Sequence, residues 1–241
     1  MMKHEYDVII AEHYAAYRPP LHQLILNRCF KEYGESKFNL GLDVGCGTGQ
    51  SAIALTDFCE KVIAIDPSPE MLVMSKSHRL ITYNTFDGKN LGFAENLFDI
   101  VTFAGSLYYA KSQKLFNETL RVTKDKGLIL IYDFEIVMDE FSEFMEILKK
   151  DSIQEYDHWM DFSGLDTYGI SKLFTQMELI KIKVETEDLA HVLLAEHGVY
   201  KALLSKNTGH EPFDMMYEML NDLNYGELSV NIFYTLYLCE K

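Results

Sequence analysis

The segment LDVGCGTGQSAIAL, residues 42–55, places more chemistry in fewer residues than any other part of the chain. An apolar run ends in Asp43, passes through Gly45, Gly47 and Gly49, and enters an apolar-periodic helix. Glycines at this spacing let the backbone turn sharply and let a ligand approach the main chain with no Cβ in the way. Amides exposed at the following helix start favour a carboxylate, and Asp43 is placed to serve a cationic group on the same ligand. A second run, VIAID, closes on Asp66, whose carboxylate can accept from both hydroxyls of a ribose. The residues therefore predict a site for a ligand that carries a ribose at one end and an amino-acid-like group at the other. A bare turn for the glycines and a helix N-cap for Asp66 are the plainer readings.

A dinucleotide loop would carry glycine or alanine three residues after Gly47, where this chain has Gln50. That substitution, with Asp43 ahead of the glycines, weighs against a nicotinamide-dependent oxidoreductase.

The elements around these residues alternate. Strand-like runs at 40–44, 62–65, 80–86, 98–103 and 127–134 are separated by helical patterns at 50–58, 69–76 and 113–122, with a further helix at 21–34 ahead of the first strand. Alternation of this kind predicts an α/β fold with a Rossmann-like, seven-stranded, mostly parallel sheet and helices on both faces. We expect one domain over 1–241, divided into an N-terminal lid and helix (1–37), a cofactor-binding core (38–134), a helical cap inserted after the fifth strand (135–178) and a C-terminal part of sheet and helices (179–241). The cap should hold an amphipathic helix near 139–150. The last parts should hold a strand at 179–184, helices at 189–204 and 213–223, and the strongly β-prone run LSVNIFYTLYLCE at 228–240.

Composition narrows the partners. The chain has 241 residues, with 37 acidic against 22 basic side chains and a formal charge of -15. Such a surface repels a phosphate backbone, so no nucleic acid partner is expected. No apolar stretch reads as a membrane span and the first residues do not read as an export signal, so no membrane partner and a cytoplasmic location are expected. Cys29, Cys46, Cys59 and Cys239 are scattered, and no acid or histidine spacing suggests a metal.

With these motifs in view, the chain resembles the class I S-adenosylmethionine-dependent methyltransferases, in particular their small-molecule branch (the type 11/25 kind), from about Tyr14 through Phe134. LDVGCGTG is similar to the family's first motif and VIAIDPSPEML to its second. The resemblance implies S-adenosylmethionine as cofactor, S-adenosylhomocysteine as product, and a loop formed by Cys46, Thr48 and the three glycines. It makes Asp66 the ribose acid, followed by Pro67, and Met71 a wall against the adenine. In TFDGKNLGFAENLFDIVTFAGSLYYA it implies that Asp87 reaches the adenine amino group, that Gly88 leaves room for the ring, and that Phe103 and Ala104 lie beneath the cofactor. The early AEHYAAYRPP implies a contribution of Tyr14 and Arg18 at the carboxylate end or the lid. Gly92 stands where the family usually has proline, and Tyr108 and Tyr109 stand where it often has a His pair.

The acceptor side is less legible. Tyr108 and Tyr109 follow the fourth strand, where open α/β sheets build their sites, and with Trp159 they are the substrate-binding candidates. His158, His191 and His197 are further polar candidates, and no catalytic base is named. The expected activity is methyl transfer to a small-molecule acceptor by in-line displacement. The alternatives are a protein methyltransferase and a noncatalytic S-adenosylmethionine-binding regulatory protein.

Overall fold

Strand β1 (Phe38–Val44) lies at the centre of the fold because its second half is buried on both faces: Leu42 and Val44 on one, Gly41 and Asp43 on the other. In the computed structural model, which describes residues 13, 19–34, 37–137, 156–195, 197–205, 209–222 and 226–241, β1 pairs in parallel with β2 (Cys59–Asp66) and with β4 (Phe98–Ala104). Strand β3 (Ile81–Thr85) continues the parallel ladder beyond β2, and β5 (Thr123–Ile136) continues it beyond β4. The full sheet has seven strands in the order β3-β2-β1-β4-β5-β7-β6.

Strands β6 (Ile170–Lys183) and β7 (Glu227–Cys239) run antiparallel. The Glu240 amide donates to the Gly169 carbonyl at 2.9 Å and that of Val184 to Gly226 at 3.1 Å, so the start of one strand meets the end of the other. β7 is likewise antiparallel to β5, with the Val137 amide donating to Ser229 at 2.9 Å and the Lys241 amide to the Asp125 carboxylate at 3.1 Å. The sheet is therefore parallel from β3 to β5 and antiparallel at one side.

The helices are α1 (Leu21–Tyr33), α2 (Gln50–Leu55), α3 (Pro69–Val73), α4 (Leu107–Ala110), α5 (Gln113–Val122), α6 (Thr186–Leu194), α7 (His197–Ser205) and α8 (Pro212–Asp222). Helix α1 buries Leu21, Ile25, Leu26, Cys29 and Phe30, an apolar stripe along one face. Ser68 caps α3 and Ser112 caps α5, each accepting a backbone N–H from three residues on.

Two compact units divide the chain. The first comprises residues 21–134, 156–178 and 232–241, and its core gathers Leu42, Val44, Phe98, Val101, Phe103, Phe116, Ile129, Phe162 and Tyr237. Phe162 is fully buried, with its ring centroid 4.9 Å from Phe116, 5.6 Å from Tyr237 and 6.0 Å from Phe103. It pins the segment that starts at Tyr156 to the sheet. The second unit comprises residues 1–20, 135–155 and 179–231. There α6, α7 and α8 bury Leu189, Leu193, Leu194, Leu203, Met216 and Leu220. His13 stacks on Phe213 with centroids 6.0 Å apart, and its Nδ1 lies 2.8 Å from that of His191.

Several boundaries differ from expectation. β6 begins at Ile170 rather than Leu179: half of its residues are exposed and only Ile180 is buried, so no apolar run announces it. The stretch 170–178 thus belongs to the sheet and not to a cap. The helix expected over 189–204 is two helices, α6 and α7. The amphipathic helix expected near 139–150 lies outside the described residues. Helix α4, between β4 and α5, is an addition. All four cysteines are buried and unbridged. Burial pushes the Cys59 thiol up to about 12 and that of Cys239 to about 11, while Cys29 and Cys46 are raised further. Among the described residues no helix is long and apolar enough to cross a membrane, and no cluster of acids, histidines and cysteines could hold a metal ion.

Candidate functional site

The glycine loop leaves β1 and leans at once on β2: the Gly45 and Cys46 amides donate to the Ile65 carbonyl at 2.8 and 3.0 Å. Gly45, Gly47 and Gly49 have φ of 73°, 53° and 86°, a region in which L-residues are strained. Their surroundings separate their roles. A Cβ on Gly45 would lie 2.5 Å from that of Ser106, and one on Gly49 would run into the Tyr83 hydroxyl. One on Gly47 would meet no atom within 4 Å. Two glycines therefore allow the loop to pack against β3 and the end of β4, and the third faces open space where a ligand can approach the backbone.

Asp66, at the end of β2, bounds that space. Its Oδ2 accepts from the Gly47 amide at 2.8 Å and its Oδ1 from the Ser68 amide at 2.9 Å, so it braces the loop and the entry to α3 together. Gly88 repeats the open arrangement beyond β3, with φ 78° and no atom within 4 Å of a Cβ placed there. Met71 on α3 is exposed, as are Pro67 and Asp87, and Thr48 is half-buried.

Several of the expected residues have structural partners of their own. Asp43 is fully buried, and its oxygens accept from the Ser51 hydroxyl at 2.5 Å and the Thr102 hydroxyl at 2.8 Å. It ties the loop to α2 and β4 and is not presented to an entering cation. Burial raises its carboxyl to about 6, with the two hydroxyls opposing the shift. Phe103 is fully buried among Phe162 and the core, so its ring is a packing element and only its backbone is near the strand end. Asp87 accepts from the Lys89 and Asn90 amides at 2.8 and 2.5 Å and from the Asn90 side chain at 2.7 Å, which holds its carboxyl below the usual range and builds its own turn. Helix α2 has six residues, so little macrodipole stands behind the loop amides. Tyr14 and Arg18 lie outside the described residues.

Ala104 ends β4, and the chain then turns through Gly105 and Ser106 into α4. The Ser106 hydroxyl donates to the Val44 carbonyl at 2.5 Å, locking the ends of β1 and β4 together. Tyr108 is half-buried against Tyr156, with centroids 4.4 Å apart, while Tyr109 is 80% exposed. Tyr156 donates to the Gly105 carbonyl at 2.7 Å, and His158 Nδ1 lies 3.0 Å from Asp133 Oδ2 at the end of β5. Trp159 packs on Phe233 at 5.1 Å and stays half-exposed. Asp133, Tyr156, Ser106 and Tyr83 carry no motif of their own. Only the contact partners, distant in sequence, single them out.

Fold and site define a seven-stranded Rossmann-like α/β protein with an open glycine loop. Residues 42–131 match the family model described as a methyltransferase domain, and that segment is of the class I S-adenosylmethionine-dependent methyltransferase kind. It is 21% identical over 183 residues to a candidate methyltransferase of Dictyostelium discoideum, covering 74% of this chain and 65% of that one. It is 38% identical over 95 residues to the demethylmenaquinone methyltransferase of Paenarthrobacter aurescens, covering 39% of this chain and 38% of that one. The chain thus spans less than two thirds of the length of these relatives. Among solved structures, a candidate type II methyltransferase from Anaeromyxobacter dehalogenans shares the fold with a TM-score of 0.63 at 18% identity, over 89% of this chain and 95% of that one. The cofactor of the family is S-adenosylmethionine, with S-adenosylhomocysteine as its product.

Proposed function

We propose that this protein transfers the methyl group of S-adenosylmethionine to a small-molecule acceptor by in-line displacement. The observation that carries the reading is the open Gly47 position beside Asp66, since a backbone without a Cβ next to a strand-end carboxylate suits a nucleoside that carries an amino acid. In this reading Asp66 accepts from the ribose hydroxyls, and Gly47 and Thr48 face the amino-acid portion. Met71 and Gly88 border the adenine, and Asp87 reaches its amino group from the turn it builds.

The cofactor supplies an electrophilic methyl group, so the chain's own work is to orient an acceptor lone pair and exclude water. Ala104, Gly105 and Ser106 hold the strand end against which an acceptor would lie. Tyr108, Tyr109 and Trp159 offer it aromatic surface at the carboxyl end of the sheet, where open α/β folds bind their ligands. The net charge of -15 disfavours a polynucleotide acceptor, and a cytoplasmic setting fits the composition.

Calorimetric titration with S-adenosylmethionine, S-adenosylhomocysteine and nicotinamide dinucleotides, beside the Asp66→Ala variant, tests the reading. Binding of the two sulfur nucleosides, weakened in the variant, is expected. Binding of a dinucleotide alone would overturn it. Turnover with a panel of small acceptors then separates an enzyme from a protein that only binds.

A further inference from the structure

We propose that Tyr83, on the edge strand β3, is a positioning residue of the nucleoside site: it holds the glycine loop and the far end of α3 at the separation that a ligand spanning both requires. The proposal rests on the methyl-transfer reading above and gives a role to a side chain that belongs to neither motif.

Reach comes first. Strand register sets Tyr83 beside Ala64 of β2, and Ala64 beside Asp43 of β1. Residues paired in a ladder point to the same face, so Tyr83, Ala64 and Asp43 form one row across three strands. Asp43 accepts from Ser51 of α2, so this is the face that α2 covers. Ala64 is fully buried and has the smallest side chain of the row. A methyl group there leaves room for the ring of an edge residue to lean over β2 towards β1, where a branched side chain would stand in its way. The ring arrives at the glycine loop. A Cβ on Gly49 would lie 2.9 Å from Tyr83 Cε1 and 3.0 Å from its Cζ, with the hydroxyl nearer still. Burial, and then the proximity of Cys46 and Asp43, raises the phenol above its ordinary value, so the hydroxyl keeps its proton and remains a donor.

The tether comes second. That hydroxyl donates to the Lys76 carbonyl at 3.2 Å, just past the end of α3. Helix α3 needs such a hold, because none of its five residues is buried and Met71 and Val73 are exposed. Its first turn is fixed by Ser68, whose hydroxyl accepts from the Met71 amide and whose own amide donates to Asp66. Its last turn runs into Ser75, whose amide and hydroxyl both donate to the Leu72 carbonyl, at 3.1 and 2.7 Å. Tyr83 takes hold one residue later. One end of α3 is thus held through Asp66 and the other through Tyr83, and both holds lead to the glycine loop, Asp66 at Gly47 and Tyr83 at Gly49.

The consequence for binding follows. In the reading above, ribose and adenine lie along Asp66 and Met71, while the amino-acid portion faces Gly47 and Thr48. A ligand that carries both parts gains most when the two halves of its site already stand at a fixed distance, since ordering them on binding consumes part of the interaction energy. Tyr83 touches both halves at once. A fragment that fills only the nucleoside half depends far less on that distance, and this separates a positioning role from a general contribution to the fold.

The test is calorimetric titration of wild type, Tyr83→Leu and Tyr83→Phe with S-adenosylhomocysteine and with adenosine, which carries the ribose and adenine without the amino-acid portion. Tyr83→Leu should lower affinity for S-adenosylhomocysteine by about tenfold and for adenosine by no more than about twofold. Tyr83→Phe keeps the ring against Gly49 and loses the tether to Lys76, so its affinity for S-adenosylhomocysteine should fall by about threefold, between the other two. Urea unfolding of the three proteins records what each substitution does to the fold. Unchanged affinity for S-adenosylhomocysteine in Tyr83→Leu, or an equal loss for both ligands, would overturn the proposal, the second result leaving Tyr83 with a packing role alone. Should Tyr83→Leu fail to fold, Tyr83→Phe decides: a loss confined to S-adenosylhomocysteine supports the role, and wild-type affinity for both ligands overturns it. Failure of wild type to bind S-adenosylhomocysteine would overturn the methyl-transfer reading and this role with it, whereas the variant results bear on the role alone.

Discussion

The Gly47 amide donates to Asp66 Oδ2 at 2.8 Å, so the glycine loop and the strand-end acid hold each other before any ligand arrives. A ribose that takes the same carboxylate enters an arrangement whose acid is already oriented. Asp66→Ala should therefore lower affinity for S-adenosylmethionine by more than tenfold and loosen the loop. Asp66→Asn, which keeps an acceptor, should fall between the two in a calorimetric series.

Gly47 and Gly49 have similar backbones and opposite surroundings, which makes them a matched pair. Gly49→Ala places a methyl group against Tyr83, and should cost about 1–2 kcal/mol for the left-handed backbone with a further 1–3 kcal/mol for overpacking. Gly47→Ala meets no protein atom and should cost only the backbone share, yet it should lower nucleoside affinity disproportionately. Denaturation curves and titrations on the two variants separate stability from binding.

The buried carboxyl of Asp43 gives stability a pH dependence of unusual sign. Its folded value of about 6 lies above the ordinary carboxyl value of an aspartate, so the folded protein holds this proton more tightly than the unfolded chain. The cost of ionising it is fully present above about pH 6 and is relieved as pH falls from 6 towards 4, by up to about 3 kcal/mol. Asp43→Asn should flatten this part of the curve. Thermal melts of both proteins across pH 4–8, compared as a difference, check the prediction.

Phe162 is the anchor of the segment that carries Tyr156, His158 and Trp159. Phe162→Ala removes a fully buried ring from between Phe103, Phe116 and Tyr237, and should cost about 3–5 kcal/mol in denaturant unfolding. The hydrogen bond from Tyr156 to Gly105 is a smaller contribution, and Tyr156→Phe should cost about 1 kcal/mol.

The cofactor loop was legible in the sequence because backbone geometry leaves few alternatives: three left-handed positions demand glycine, and an acid closing an apolar strand has little reason to be there except to bind or to cap. The parallel core was legible for a related reason, as strands buried on both faces read as continuous apolar runs. Strand β6 was not, since ISKLFTQMELIKIK is polar-rich, half exposed and buries only Ile180, so no apolar run marks it. Phe103 illustrates a further limit. Alternation places a strand residue on one face or the other, but it does not tell a ring beneath a ligand from a ring inside the core. The contact between Asp133 and His158 was invisible because the two stand 25 residues apart and meet only once the segment after β5 has folded back on the sheet.

The burial of every cysteine has a use at the bench. Thiolates are the species that alkylating reagents capture, and in the native protein Cys29, Cys46, Cys59 and Cys239 are both shielded and held protonated. Modification must wait for the chain to open, and Cys46, within the glycine loop, reports a different opening from Cys239 at the end of β7. The four thiols thus form a built-in clock, and the order in which they acquire a label reads out which parts of the molecule let go first.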